Sequence, residues 1–140
     1  MFVLIVGAGR VGSQVAKAAL AGGHEVSVLD EDPLSHERLD EGQATTWEDS
    51  GGRFTVGHAI EIEALQEAGI EQADVFIAST NGDNTNLVIA QIAQKKFNVD
   101  RVIARVMDPA RASWYSEQGL FTVCPTMAAI DEFKTELEVK

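Results

Sequence analysis

The chain has 140 residues, of which 45% are apolar, and a formal net charge of −11. This length predicts one domain over residues 1–140, with enough apolar residues to form a core. The negative charge argues against nucleic-acid binding and against attraction to an anionic membrane surface, because both present phosphates. We expect no signal peptide and no direct membrane insertion, and the single Cys124 is typical of a cytosolic protein.

The N-terminal segment predicts a strand, a glycine-rich turn and a helix. Phe2 to Val6 are apolar without alternation, as in a parallel strand that is covered on both faces. The helix after the turn is predicted to pack through one apolar face, made of Val11, Val15, Ala18 and Ala19. A second strand over residues 24–30 ends in Asp30.

The turn itself reads Gly7-Ala8-Gly9-Arg10-Val11-Gly12, and its position between strand and helix is typical of a dinucleotide-binding unit. Gly7 would permit the tight turn, Gly9 would let a pyrophosphate approach the backbone, and Gly12 would let the helix pack closely. Asp30 lies 23 positions after Gly7, a spacing typical of a carboxylate that binds ribose hydroxyls. The alternative is that Asp30 only caps the next helix.

The three acids at 30–32, and the lack of Arg or Lys up to residue 37, disfavour a ligand with a 2′-phosphate. A phosphate there would be repelled by the carboxylates.

The rest of the chain continues the alternation of strands and helices. Strands are predicted at 53–57, 73–79, 101–107 and 120–124, and helices at 33–39, 62–69, 85–97, 109–117 and 127–137. Residues 42–52 form a polar loop in which Trp47 is predicted as an anchor, and Asp83 or Asn84 would cap the helix at 85–97. The fold class is therefore α/β, a Rossmann-like doubly wound parallel six-stranded sheet of order 3-2-1-4-5-6, with helices on both faces.

The helix at 85–97 is unusually apolar. Its apolar residues cover about 200° of its circumference, whereas a surface helix needs a stripe of about 100°. Since one sheet cannot bury such an arc, we expect a second partner, with Ile89 among the outward residues. The helix at 109–117 adds Trp114 and Tyr115, which are residue types enriched at interfaces.

Ligands of such sheets bind at the carboxyl ends of the strands, where the strand order reverses. This rule, with the glycine motif, selects Gly7, Ala8, Gly9, Arg10, Val11, Gly12, Asp30, His58, Ala59, Thr80, Asn81 and Arg105. His58 could equally be a surface histidine, and Arg105 could pair with a protein acid. We predict no metal site, because the three histidines lack ligand spacing, and no catalytic residue.

Several segments together resemble the N-terminal lobe of the RCK (TrkA-N) family, nucleotide-binding subunits and domains that gate potassium channels and transporters. They are residues 6–12, 30–32, 57–59, 67–75, 80–87, 101–106 and 108–109, in order over nearly the whole chain. The resemblance implies that nucleotide contacts fall on residues 7–11, Asp30, His58, Thr80, Asn81 and Arg105. Family members usually continue into a second, C-terminal lobe.

The resemblance also implies a function. We expect a cytoplasmic regulatory module that binds NAD(H) or alternatively ATP/ADP and lies at the inner face of the membrane through a potassium channel or transporter subunit. It would form a homodimer through helices 85–97 and 109–117, or a larger ring. Two other functions stay open: an NAD-dependent oxidoreductase domain, and a dimerisation module with a vestigial site. We expect no enzyme, since no proton donor is placed beside a nicotinamide.

Overall fold

The computed structural model describes residues 1–138 and contains one sheet. Its six parallel strands are β1 (Phe2–Val6), β2 (Glu25–Asp30), β3 (Arg53–Val56), β4 (Val75–Ala78), β5 (Arg101–Arg105) and β6 (Phe121–Val123). They lie in the order β3-β2-β1-β4-β5-β6, which confirms the predicted order. Val3 pairs with Val26 on one side and Val75 on the other, so β1 lies at the centre and the order reverses between β1 and β4.

The strands are connected by helices. These are α1 (Arg10–Ala21), α2 (His36–Asp40), α3 (Ile62–Glu67), α4 (Asp83–Gln91), α5 (Pro109–Glu117) and α6 (Pro125–Glu136). Short 3₁₀ turns at Pro33–Ser35 and Ile70–Gln72 precede α2 and follow α3, and a π turn at Ile92–Lys96 ends α4. Within the described residues, no helix is long and apolar enough to cross a membrane.

The sheet buries a core on each face, as predicted. One core combines strand residues such as Leu4 and Phe76 with Leu65 of α3, Leu87 of α4 and Ala112 of α5. The other packs Ile5 and Val28 against Ala16 of α1, Leu39 of α2 and Trp47. The central strands are therefore buried on both sides, which explains their unbroken apolar sequences.

The buried face of α1 differs from the predicted one. Val11, Val15 and Ala18 are exposed, whereas Gly12, Ser13 and Ala16 are buried. The reason is the close approach of α1 to the turn after β1: a Cβ on Gly12 would lie 1.8 Å from the carbonyl oxygen of Gly7. Only small residues fit that contact, so the bulkier valines lie on the outside.

Two expectations for α4 were also wrong. Its N-cap residue is Gly82, and neither Asp83 nor Asn84 caps it, because Asp83 is already in the first turn and accepts hydrogen bonds from the loop after β5. Ile89 is fully buried rather than outward. Leu87, Ala90 and Ala93 are buried too, and of the apolar arc only Val88, with 48% exposure, is exposed. The fold itself covers most of the arc, since α4 is buried between the sheet and neighbouring segments.

Trp47 is an anchor, as predicted. Its side chain is 1% exposed, its indole N–H donates to the carbonyl of Arg53 at 2.9 Å, and its backbone N–H donates to Oδ1 of Asp40 at 2.8 Å. His36 lies beside this contact, 2.7 Å from a carboxylate oxygen of Glu48 and 3.3 Å from Asp40. The polar loop before β3 is thus held to β3 by the Trp47 indole, and to α2 by the Trp47 backbone N–H and the His36 imidazole.

Candidate functional site

A groove of about 460 Å³ opens at the carboxyl ends of the central strands. Its walls are the turn after β1, the end of β2, the loop after β3 and the loop after β4. The lining residues are Val6, Gly7, Gly9, Asp30, Glu31, Asp32, Ser35, Arg38, Gly57, Ala59, Ser79, Thr80, Asn81, Gly82 and Thr85. Six of the predicted contact residues therefore line one cavity, at the point where the strand order reverses.

The three glycines of the motif have distinct surroundings. Gly7 has φ of +100°, and a Cβ there would lie 2.7 Å from the carbonyl oxygen of Ser79. Gly12 contacts the carbonyl of Gly7, as described above. A Cβ on Gly9 would meet nothing within 4 Å, so this position faces open space. The fold thus requires glycine at two positions, whereas the third leaves room for a ligand.

The first turn of α1 is free of side-chain caps. Gly9 occupies the N-cap position with no side-chain hydrogen bond, and no acidic residue lies in the first turn. The initial amides of a helix have no intrahelical partner and, with the helix dipole, attract anions. Arg10 and Val11 are exposed in this turn. The start of α1 therefore offers the groove free N–H donors for a phosphate.

Asp30 braces the glycine turn from the end of β2. One of its oxygens accepts the N–H of Ala8 at 2.7 Å, and the other accepts the N–H of Asp32 at 2.8 Å. Each carboxylate oxygen has a second lone pair, so Asp30 can still accept a hydroxyl from the groove. The sequence alternative, a simple helix cap, does not apply, because Asp32 caps the 3₁₀ turn at Leu34.

The loop after β3 lies beside Asp30, whose backbone carbonyl accepts the N–H of Gly57 at 3.0 Å. Ala59 lines the groove, whereas His58 lies outside the lining and its Nδ1 is 2.8 Å from a carboxylate oxygen of Glu31. Both side chains of this pair are largely exposed, so the contact is a surface bridge between two loops. It connects the loop after β2 to the loop after β3.

The loop after β4 provides the opposite wall. Thr80 and Asn81 line the groove, and the guanidinium of Arg105 lies 3.5 Å from Oδ1 of Asn81. Arg105 is outside the lining, and its Nε is buried without a hydrogen-bond partner in the described chain. Among residues 1–138, Arg105 forms no ion pair with a carboxylate, in contrast to the sequence alternative in which it pairs with a protein acid. A buried donor without a partner is costly, which fits an anion arriving beside this loop.

Arg38 was missed by the sequence analysis. It is the only basic residue of the groove lining in the described chain, and its guanidinium lies 3.5 Å from the carbonyl oxygen of Ala8. It directly follows residues 30–37, which lack Arg and Lys, so a cation lies closer to the groove than that interval predicted. The signal available was the helical spacing of Arg38 from Ser35, three positions earlier, which also lines the groove.

Comparison with known proteins identifies the family. The family model of the TrkA-N domain matches residues 3–125. The Trk system potassium uptake protein TrkA of Streptomyces coelicolor is 39% identical over 137 residues, which are 98% of this chain and 58% of that protein. The protein of the same name from Mycobacterium tuberculosis is 32% identical over 114 residues, 81% of this chain and 48% of that one. The chain thus spans about half the length of these relatives.

Solved structures agree with the fold. The TrkA-N domain of the inner membrane protein ybaL from Escherichia coli has a TM-score of 0.78 at 26% identity, covering 97% of this chain and 95% of that one. The Kef C-terminal domain of Shewanella denitrificans, in its AMP-bound form, has a TM-score of 0.78 at 23% identity, covering 98% and 79%. The match to the family model extends from β1 through β6 and includes every wall of the groove, and the chain therefore belongs to the TrkA-N domain family.

Proposed function

We propose that this chain is a cytoplasmic regulatory module of a potassium transport system, and that it binds an adenine nucleotide in the groove. NAD(H) is the first candidate, and ATP or ADP is the alternative. A membrane potassium channel or transporter subunit is the proposed partner, which would hold the module at the inner face of the membrane. The relatives carry the name of a potassium uptake protein, which supports this function.

One observation carries the nucleotide proposal. The uncapped start of α1 and the open space above Gly9 lie in the same groove as the carboxylate of Asp30. The start of α1 and the space above Gly9 fit a diphosphate, because free amides and the helix dipole bind anions. The carboxylate fits a ribose, because its free lone pairs accept hydroxyls. Three solved structures of similar fold are complexes of those proteins with AMP, ADP and NAD.

Under this proposal the contacts are distributed along the groove. Gly7, Ala8, Gly9, Arg10, Val11 and Gly12 would form the diphosphate cradle, with Asp30 on the adenosine ribose, His58 and Ala59 on the adenine side, and Thr80, Asn81 and Arg105 on the distal half of the ligand. Arg38 is added to this set, since its cation faces the glycine turn.

Calorimetric titration with NAD, NADH, ATP and ADP tests the proposal. We expect saturable 1:1 binding of at least one of the four, and weaker binding of GTP as a base control. The absence of heat and of thermal stabilisation with all four ligands at millimolar concentration would reject it, and would favour a dimerisation module with a vestigial site.

An assay of NADH oxidation with the same protein distinguishes a regulatory module from an enzyme. Among residues 1–138, the groove lining contains no His, Lys or Tyr that could protonate a substrate beside a nicotinamide. We therefore expect no steady oxidation of NADH with a panel of 2-oxo acids, relative to heat-inactivated protein. Sustained turnover that scales with protein concentration would favour the oxidoreductase alternative.

Assembly is the second part of the proposal. We propose a homodimer through helices 85–97 and 109–117, whose exposed apolar residues include Val88 and Trp114, the latter with 55% exposure. Isologous dimers are the commonest oligomers, and aromatic anchors are enriched at their interfaces. Such an interface would let nucleotide occupancy alter the geometry between subunits, since the loop after β4 leads directly into α4.

A further inference from the structure

Asn86 is a fully buried polar residue in the first half of α4. Its Oδ1 accepts the N–H of Thr80 at 2.9 Å and the hydroxyl of Thr80 at 2.6 Å. Its Nδ2 donates to the carbonyl oxygens of Thr80 at 3.0 Å and Arg105 at 2.9 Å. An asparagine amide offers two donors and two acceptor positions, so all four are in use.

These bonds join three elements at one point. Thr80 belongs to the loop after β4 and lines the groove, whereas Arg105 is the last residue of β5. Asp83, one turn earlier in α4, accepts the N–H groups of Met107 at 2.7 Å and Asp108 at 3.1 Å. The start of α4 thus holds the loop after β4 and the loop after β5 together.

We propose that Asn86 is the positioning residue that holds Thr80 in register with the end of β5 and transmits nucleotide occupancy from the groove to α4. In a fully satisfied buried network, a shift of one member must move the others or leave a buried group unpaired. A ligand that displaces Thr80 therefore moves Asn86, and with it α4 and the carbonyl of Arg105. This inference rests on the proposed nucleotide site and assigns its coupling residue.

The first measurement needs no ligand. Hydrogen exchange of the Thr80 amide is followed in the free protein and in Asn86→Ala, which removes the oxygen that this amide contacts. We expect the Thr80 amide to exchange at least tenfold faster in the variant, while the Ile5 amide in β1 is unchanged. Equal exchange of Thr80 in both proteins would overturn the positioning role. Asn84→Ala is the matched control, because Asn84 is exposed on the same helix and contacts Arg111 instead.

The second measurement uses ADP and NAD. Asn86→Asp keeps the size of the side chain but replaces its donor by an oxygen that faces two carbonyls. We expect affinity to fall about tenfold or more, as for loss of a buried hydrogen bond, with less than a twofold change in Asn84→Asp. Rescue of wild-type affinity by Asn86→Gln is not expected, because the additional methylene group moves the amide away from the position in which it meets all four partners. Equal affinity of Asn86→Asp and the wild type would overturn the proposal.

The wild-type protein supplies a readout that does not depend on folding of a variant. The side-chain amide resonances of Asn86 should shift when ADP or NAD saturates the groove, together with the backbone amides of Met107 and Asp108. The side chain of Asn98, beyond the opposite end of α4, should not shift. Binding without a shift at Asn86 would overturn the transmission step. If the wild type binds no nucleotide, the proposed function and the transmission step fail, while the exchange result still decides the positioning role.

Discussion

Among the glycines of the motif, some are required by the fold and one leaves room for a ligand. Gly7 and Gly12 are required by contacts inside the chain, at a positive φ and at a backbone-to-backbone approach. Gly9 has an ordinary extended conformation and free space on the side where a Cβ would lie. A substitution at Gly9 can therefore affect a ligand without affecting the fold, which makes it the cleanest single-residue probe of the groove.

We predict opposite effects of Gly9→Val and Gly12→Ala. Gly9→Val should change the free energy of unfolding by only about 1 kcal/mol, the difference between good and poor N-cap residues. It should weaken nucleotide binding at least tenfold, since the side chain fills the space before the α1 amides. Gly12→Ala should destabilise the fold by about 3 kcal/mol or more, because its Cβ overlaps the Gly7 carbonyl. Chemical denaturation and calorimetry measure both. Tight binding by Gly9→Val would contradict the site.

Asp30 has a structural and a proposed binding role, and a variant must separate them. Asp30→Asn keeps one oxygen that can accept the N–H of Ala8 or Asp32, but replaces the other oxygen by an amide donor. We expect a loss of about 1–3 kcal/mol in unfolding free energy from the bond to Ala8 or Asp32, and in addition weaker binding of every adenine nucleotide. Asp74→Asn is the matched control, because Asp74 accepts the N–H of Phe2 at the opposite end of the sheet. A similar stability loss in both, with unchanged affinity in both, would refute the ribose contact.

At the scale of elements, helices are located well by their sequence pattern, but their faces are decided by neighbours. In α1 the apolar valines are outside because the contact with the turn after β1 accepts only small residues. In α4 most of the apolar arc is buried within one chain. The loop between α2 and β3, although polar in sequence, is fixed by one buried indole.

The anchoring role of Trp47 predicts a large effect of Trp47→Ala. Truncation of a buried tryptophan typically costs about 3–5 kcal/mol, and here it also removes the bond to the Arg53 carbonyl. Urea denaturation should show this loss. Leu34→Ala, which truncates an exposed apolar residue just before α2, should change the free energy of unfolding by less than about 0.5 kcal/mol. Equal effects of the two variants would mean that the loop does not anchor the core.

At the scale of the whole molecule, two exposed apolar surfaces are candidates for an interface. One comprises Val88 and Trp114 on the helices of the proposed interface. The other is β6 with α6, a helix without a buried residue, whose Phe133 is 71% exposed. Exposed apolar surface that extends along adjacent elements often marks a protein interface. Both surfaces must be tested when the oligomeric state is measured.

Sedimentation velocity at tens of micromolar protein distinguishes the two surfaces. We expect a dimer that Val88→Asp combined with Trp114→Glu dissociates, because both substitutions introduce charge into a buried apolar contact. Phe133→Asp, on α6, should leave the dimer intact. A monomeric wild type would reject the homodimer, and dissociation by Phe133→Asp alone would move the interface to β6 and α6. Circular dichroism should show an unchanged fold in each variant.

The sequence by itself determined the architecture and the family. Unbroken apolar strands, glycine turns and helical spacing are local signals, and their alternation predicted the strand order that the structure confirms. The twelve proposed contact residues came from the same logic, and their role in binding stays a prediction. Asp30 illustrates the limit: its spacing predicted a carboxylate at the groove, but not that it holds the amide of Ala8.

Only the tertiary structure decided what depends on distance in space. Which face of α1 is buried follows from a backbone contact between Gly12 and Gly7, and the burial of Ile89 follows from the segments around α4. Arg38 enters the groove because a short helix turns it toward Ala8. Asn86 is separated from Arg105 by 19 positions, and only the pairing of β4 with β5 brings its amide to that carbonyl. Sequence patterns report local preferences, whereas these contacts join residues that the sheet alone brings together.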